Sequence, residues 1–337
     1  MRARSALALA ALVAALALLE WGAPRLLNPY YLTIATRIGV AIIAAVSLQL
    51  VSGFTGQFSI GHAGFMAVGA YASAALSVYF GGGWLAALAD VLPGGLARAL
   101  YFPLPLLAGG ALAALAGLLV GIPALRLRGD YLAIATLGFG EIIRVVILNV
   151  EAVGGARGFA LSAPGVDLRY EDLGALYAVV VVSVAVMARL AYSSAGLAFR
   201  AVREDEIAAE SIGVPTTRVK VLAFALSSFF AGVAGALFAH SEGYIHTNSF
   251  SFVRSFEIMV FVVLGGLGSI SGAVVAASVL TAAPELLRGF GELRMIIYAL
   301  GLIAVMILRP QGLMGSRELD PRPWLARWRR RDAAARA

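Results

Sequence analysis

Cysteine is absent from the 337 residues, which excludes disulfides, thiolate catalysis and thiolate ligation of zinc or an iron–sulfur cluster. Charge is scarce as well. Only 13% of residues are charged against 61% apolar, and the mean hydropathy is +0.88, whereas a soluble domain carries about 25% charged residues. Water is therefore not the main solvent of this chain. The apolar residues form long runs rather than strict alternation, and backbone groups in lipid must be bonded internally, so helices are favoured over a barrel. The fold class is all-α, a polytopic membrane protein of about ten transmembrane or re-entrant helices.

Catalytic and nucleotide motifs are also missing. The chain contains no G-x-x-x-x-G-K-[ST] phosphate loop, no H-E-x-x-H and no G-x-S-x-G, so it neither binds ATP by that device nor offers a catalytic constellation. No second histidine lies at ligand spacing from His62, and no metal site is expected.

The apolar runs are spread along the chain. A basic start, Met1 to Arg4, precedes an apolar stretch from Ser5 to Leu19, read as a retained first helix because no A-x-A cleavage site follows it. Further spans are expected at Ile38–Leu50, Phe65–Phe80, Leu104–Ile122, Tyr131–Val150, Leu173–Leu190, Val221–Ala239, Gly272–Leu287 and Leu293–Leu308. Ile258–Gly265 is so short that it reads as half of a broken element.

The formal charge of +7 could signal nucleic acid, but the basic residues stand beside hydrophobic spans, and topology explains them better. Alternation from a cytoplasmic N-terminus places Arg126, Arg128, Arg200, Arg203, Arg218 and Lys220 inside, together with an Arg-rich tail. It places Gly81–Tyr101, Glu151–Asp172 and His240–Glu257 outside, and both termini in the cytoplasm. Residues 1–316 are thus read as the transmembrane domain. The tail, 317–337, carries Trp324 and Trp328 among its arginines and is read as an anchor to anionic membrane lipid, not as an RNA-binding segment.

The longest cytoplasmic loop, 191–220, holds GLAFRAVREDEIAAESIGVPTTRVK. It reads as a helix with charge pairs Arg200/Glu204 and Arg203/Glu206, an apolar stripe of Phe199, Val202, Ala209 and Ile212, and a stop at Gly213 and Pro215. Such a helix, held between two spans, can dock into a partner's groove and pass the partner's motion to the bundle. A solvated connector is the alternative.

Two glycine-rich breaks interrupt the apolar runs. GFTGQFSIGHAGFMAVGAY, Gly53 to Tyr71, sets five glycines among polar side chains; Gln57, Ser59 and His62 can hydrogen-bond a polar solute, or the glycines can simply let helices pack closely. GGLGSISG, Gly265 to Gly272, repeats the G-x-x-S-I pattern of the first break. Ser59 and Ser269 are expected N-caps, and a helix N-terminus at membrane depth can receive a carboxylate. Parity puts both breaks toward one face. Within the span that begins near Asp130, Glu141 and Arg144 are expected to neutralise each other at i,i+3.

Taken together, four phrases in this order, GQFSIGHAGFMAVGAY, RLRGDYLAIATLGFGEIIR, FRAVREDEIAAESIGVPTTRVKVLAFALSSFFAGVAGAL and VVLGGLGSISGAV, resemble the LivM-type permease subunits of branched-chain amino acid ABC importers. The resemblance runs from about Ala41 to Gly315. It implies a homologous second permease, two cytoplasmic ATPase subunits that bind the ATP and Mg, and an extracytoplasmic solute-binding protein, in a bacterial plasma membrane. IAAESIG, Ile207 to Gly213, is similar to the E-A-A-x-x-x-G coupling motif of ABC importers, with Ile207 at the motif's Glu position. Arg200, Arg203, Glu204, Glu206, Ala208, Ala209 and Gly213 are accordingly the candidates for ATPase coupling, and Gln57, Ser59, His62 and Ser269 for the solute pathway. Permeases for urea and short amides share much of the pattern, and an ion-coupled carrier is the alternative from another class.

Overall fold

A computed structural model of the chain describes residues 28–90, 100–127, 129–163, 166–168, 172–315 and 318, with a few positions between 16 and 25. Most of the expected helix at Ser5–Leu19 and nearly all of the tail lie outside the described residues. Helices dominate, and among the described residues eight are long and apolar enough to cross a membrane, a length of about 20 residues.

The first, α1 (Pro29–Gln49), starts earlier than the apolar run from Ile38 implied. Asn28 caps it, with Pro29 at its first position, and Arg37, whose charge broke the run, pairs with Glu242 at 3.0 Å. From Gly39 to Gln49 every residue is buried, and the helix ends in a buried π-turn, Leu50–Phe54. Helix α2 (His62–Leu76) follows, extended by a second π-turn, Ser77–Gly81, into α3 (Gly82–Ala89). Helix α4 (Pro103–Ala124) begins with Pro103 and Pro105 in its first turn, where the amides have no intrahelical partner to lose, and carries Pro123 in its last turn, which removes one ladder bond.

Helices α5 (Asp130–Leu148) and α6 (Leu173–Ala191) bracket a segment of short turns that holds one small antiparallel pair and the first strand of another. Strand β1 (Phe159–Ala160) pairs with β4 (Tyr244–Ile245), and β2 (Ser162–Ala163) with β3 (Val166–Asp167). The loop after α6 forms α7 (Ser194–Glu204) and α8 (Glu206–Ser211), and leads into the long α9 (Thr216–Glu242). Helices α10 (Phe252–Gly265), α11 (Ile270–Leu286) and α12 (Leu293–Leu308) complete the described bundle.

The expected half-span at Ile258–Gly265 is longer than its apolar run. Arg254 and Glu257 interrupted that run, but they neutralise each other at 2.5 Å across i,i+3, so the helix extends back to Phe252, behind a 3-10 turn at Thr247–Phe250. Together these make a crossing of 19 residues.

Close backbone approach builds the core. Helices α2, α4 and α9 pack most extensively on one another; a Cβ at Gly109 would stand 2.6 Å from the Gly69 carbonyl oxygen, and one at Gly232 would strike Ala113. Glycine is used here because no hydrophobic drive pulls helices together in lipid, so contact area and packing must do it. Helix α12 buries none of its residues, and Leu104, Leu107, Leu112, Leu115, Leu119 and Ile122 lie along an exposed face of α4, as a lipid-facing surface requires.

The bundle has two distinct ends. One carries the segment after α1, the α4–α5 turn and the α7–α8 loop around a shared cavity. The opposite end gathers the turns after α5 and α9, where Tyr79 donates to the Ala152 carbonyl at 2.5 Å, Tyr244 to the Arg157 carbonyl at 2.6 Å, and Tyr101 to the Ser77 hydroxyl at 3.0 Å. Burial raises the Tyr101 phenol above its usual range, against the Ser77 hydrogen bond. The segments assigned to one side by charge alternation thus share an end.

Candidate functional site

The loop expected as one helix is two. Asp205 is extended (φ −157°, ψ 112°), closes α7, and caps α8 by accepting from the amides of Ile207 and Ala208 at 2.8 and 3.0 Å. An aspartate ahead of I-A-A is an N-cap signal, and it was legible in the sequence. The break also re-pairs the charges. Glu206 no longer shares a helix with Arg203; it takes Lys220 at the base of α9, 2.5 Å away. Arg203 pairs with neighbouring Glu204 instead, at 2.6 Å, and Arg200 points its Nε at the Gly196 carbonyl, 3.4 Å away.

Gly213 ends α8 as expected. It is left-handed (φ +88°), its amide bonds to the Glu210 carbonyl and that of Val214 to Ala209, the paired closure of a Schellman motif. Phe199, Val202 and Ala209 face inward, but Ile212 is 79% exposed because the chain turns away at Gly213. Leu197, Ile207 and Ala208 are exposed too, so the loop pair presents an apolar outer surface with Glu204 and Glu210 beside it.

Arg203 points the other way. Its Nη1 donates to the Gly53 carbonyl inside the first π-turn at 3.0 Å. Gly56 (φ +69°) lies against its stem, where an added Cβ would stand 2.8 Å from Cγ; at Gly268 (φ +89°), in the second break, a Cβ would be 3.0 Å from Nη1. The breaks also touch each other, since a Cβ on Gly53 would meet the Gly268 nitrogen at 2.6 Å. The two G-x-x-S-I segments, 210 residues apart in sequence, therefore meet at one end of the bundle under α7, as parity required.

The solute-pathway candidates do not gather in one place. Gln57 lines a cavity of about 260 Å³ with Thr55, Asp130, Arg203, Glu206 and Lys220 among its walls. His62 sits deeper, its Nε2 2.8 Å from the Ser47 hydroxyl, and Ser47 in turn accepts on its carbonyl from Ser227 at 2.7 Å; this ties α1, α2 and α9 together. Ser59 is buried but does not cap α2, whose N-cap is Gly61 without a side-chain bond. Close packing of Gly61 on the Thr136 backbone moves the helix start two residues on, and the Thr136 hydroxyl accepts from the Ile60 amide at 3.1 Å.

Ser269 caps α11 as expected, accepting from the Gly272 amide at 3.0 Å. A carboxylate does occupy that helix N-terminus, and it belongs to the chain itself. Glu318 accepts from the amides of Ile270 and Ser271 at 2.6 and 3.0 Å and from the Ser271 hydroxyl at 2.6 Å. Just before it, the Leu313 amide reaches the Leu264 carbonyl at 2.6 Å, and that of Met314 the Gly265 carbonyl at 3.3 Å. The strap, described at Gly312–Gly315 and at Glu318, thus serves the orphan groups at the end of α10 and the start of α11. Tyr192 leans on the same carboxylate: burial, then the Glu318 hydrogen bond and charge, push its phenol up to about 12. The strap was not foreseen, since a glutamate in an arginine-rich tail has no local pattern to mark it.

Gln49 was missed as well. Its Nε2 donates to the Gly266 and Ser269 carbonyls at 2.7 and 3.0 Å, and a lone amide at the end of an apolar span is a signal that could have found it. Glu141 and Arg144 pair at 2.7 Å as expected, and Glu141 also accepts from the Phe252 amide at the start of α10 at 3.0 Å.

The bundle of long apolar helices, broken at two points and joined to an exposed loop pair, is that of a polytopic membrane protein. The chain belongs to the family of permease components of branched-chain amino acid transport systems, which it matches over residues 30–308. It is 38% identical over 311 residues to the high-affinity branched-chain amino acid permease protein LivM of Salmonella typhimurium, covering 83% of this chain and 69% of that protein. With LivM of Escherichia coli the identity is 39% over the same shares. A shorter match, 33% over 131 residues, covers 38% of this chain and 42% of the permease protein LivH of Salmonella typhimurium. No solved structure matches.

Proposed function

We propose that this chain is the membrane-spanning permease subunit of an ATP-driven importer that carries branched-chain or other hydrophobic amino acids across a bacterial plasma membrane. It works beside a homologous second permease, with two ATPase subunits on the cytoplasmic side and a solute-binding protein on the other. ATP and Mg are held by the ATPases, and the chain itself is not an enzyme. The α7–α8 end faces the cytoplasm, with both termini; residues 317–337 form a tail that is held to α11 at Glu318 and contacts lipid through its arginines and tryptophans.

One observation carries this reading: the loop pair is exposed and apolar on its outside, through Leu197, Ile207 and Ile212, while its inside reaches both helix breaks through Arg203. A solvated connector has no reason to expose isoleucines or to send an arginine into the bundle. The similarity to LivM and the shorter match to LivH support the solute class and the second permease. Coupling runs through Arg203, Glu206 and the Ala208–Gly213 surface, and the solute passes the first break beside Gln57.

The test is uptake of labelled leucine by proteoliposomes holding the assembled complex. Uptake that needs ATP and the binding protein, survives collapse of ion gradients, and is lost with Ile207→Asp supports the proposal. Uptake driven by a proton or sodium gradient without ATP overturns it, and competition by urea or acetamide but not leucine reassigns the solute.

A further inference from the structure

We propose that the π-turn Leu50–Phe54 is the hinge of the transport cycle and that Arg203 is the positioning residue that moves it, an inference that rests on the import reading above. Among the described residues, seven buried side-chain polar atoms lack a hydrogen-bond partner, and four of them, Gln49 Oε1, Ser52 Oγ and both ends of the Gln57 amide, fall within the segment 49–57. Such groups are normally paired, and unpaired ones mark places where a fold stores free energy. The rest of α1 has no comparable defect. Its buried Ser47 is bonded to the Ala44 carbonyl at 2.9 Å and to His62.

A π-turn holds one residue more per turn than an α-helix needs. Relaxing it to α geometry advances the following residues by one position, about 100° around the axis, which turns Gly53 and carries Gln57 out of its unpaired setting. One side of this turn is fixed, because Gln49 is bonded to the Gly266 and Ser269 carbonyls. The other side is held from outside the span by Arg203 on Gly53.

Arg203 is suited to move it. The guanidinium is a planar fork: Nη1 takes the Gly53 carbonyl while Nε and Nη2 take Glu204 Oε1 at 3.1 and 2.6 Å. The stem lies against Gly56, where there is no room for a side chain. A displacement of α7 therefore reaches the hinge through a rigid group, whereas Leu197, Ile207 and Ile212 lie exposed on the outer face of the loop pair. Docking and transmission are separated on the two faces of the loop.

The experiment measures solute carried per ATP hydrolysed by the reconstituted complex, with Arg203→Met and Arg203→Lys. The ratio is expected to fall about tenfold or more with methionine and by less with lysine, which keeps the charge without the fork. An unchanged ratio, or a complex that no longer assembles, overturns the assignment by making Arg203 dispensable or a docking residue. Gln57→Leu tests the hinge itself: removing the unpaired amide is expected to raise the melting temperature of the chain in detergent and to slow uptake, and a lowered melting temperature overturns it. Wild-type complex without ATP-driven uptake would sink the import reading instead, leaving the melting comparison to judge the hinge.

Discussion

The two glycine breaks begin from nearly the same sequence and end in opposite conditions. Around the second, Gly266 to Ser269, Gln49 serves two carbonyls, Ser269 caps the next helix, Leu313 and Met314 close the end of α10, and Glu318 takes the first amides of α11. Around the first, Gly53 to Gly61, the chain is π-helical and then irregular, with one arginine on a carbonyl and the buried Gln57 amide unpaired at both ends. The difference comes from what lies over each: a strap of the same chain covers the second, and a helix exposed to partners reaches the first. Shared composition makes a break possible, but the overlying segment decides whether it is an anchor or a joint.

The largest effect is expected from Gly56→Val. The position is left-handed, which a β-branched residue tolerates only at a strain of ~1–3 kcal/mol, and the new Cβ would displace the Arg203 stem 2.8 Å away. Leucine uptake should fall by about a hundredfold while the complex still assembles. Gly268→Val, left-handed too (φ +89°) but with the guanidinium end at 3.0 Å and the Gly53 carbonyl oxygen at 3.6 Å, leaves the Arg203 stem in place and should lose less; equal losses would dissolve the distinction between joint and anchor.

Gln49→Leu attacks the anchor. The Gly266 and Ser269 carbonyls keep the amides of Ser269 and Ala273 as donors, so the loss is that of two side-chain bonds at ~0.5–1.5 kcal/mol each, and the chain should be destabilised by about 1–3 kcal/mol. The melting temperature in detergent checks this. Ser52→Ala, three residues on, removes a hydroxyl that has no partner among the described residues, and should stabilise by up to ~1 kcal/mol. Opposite signs from neighbours on one helix would sharpen the comparison, and a loss at both positions would break it.

Much of this was open to reading from composition and pattern, because membrane helices announce themselves by length and apolarity alone. The spans, the Gly213 stop, the Ser269 cap and the Glu141–Arg144 pair are local features, and local spacing fixes them. Span ends were read short wherever a charge interrupted the run, at Arg37 and Arg254, because the partners Glu242 and Glu257 make those charges tolerable only after folding. The swap of Glu206 from Arg203 to Lys220 was hidden for a related reason: it depends on a one-residue break at Asp205. Glu318 on α11 and Gln49 on the second break are pairings across 48 and 220 residues or fewer, and no periodicity in a single sequence encodes such a distance.

The smallest expected effect concerns the strap. Glu318→Gln keeps an acceptor for one α11 amide but removes the negative charge from the helix N-terminus, where a charge contributes about 0.3–1 kcal/mol, and it weakens the Tyr192 contact. The Tyr192 phenol, held up to about 12, is protonated at every working pH, so this donor is present below pH 10 and fails only as pH rises through its raised value. Hydrogen exchange at the amides of Ile270 and Ser271 is the suitable probe, since both are bonded to the strap's carboxylate and open locally without global unfolding. Exchange should speed up by about two- to fivefold in Glu318→Gln, and by less in Tyr192→Phe. Amides at the start of α2 should not change. If they did, the strap would be acting on both breaks at once, and the second could no longer be treated as a fixed point against which the first one turns.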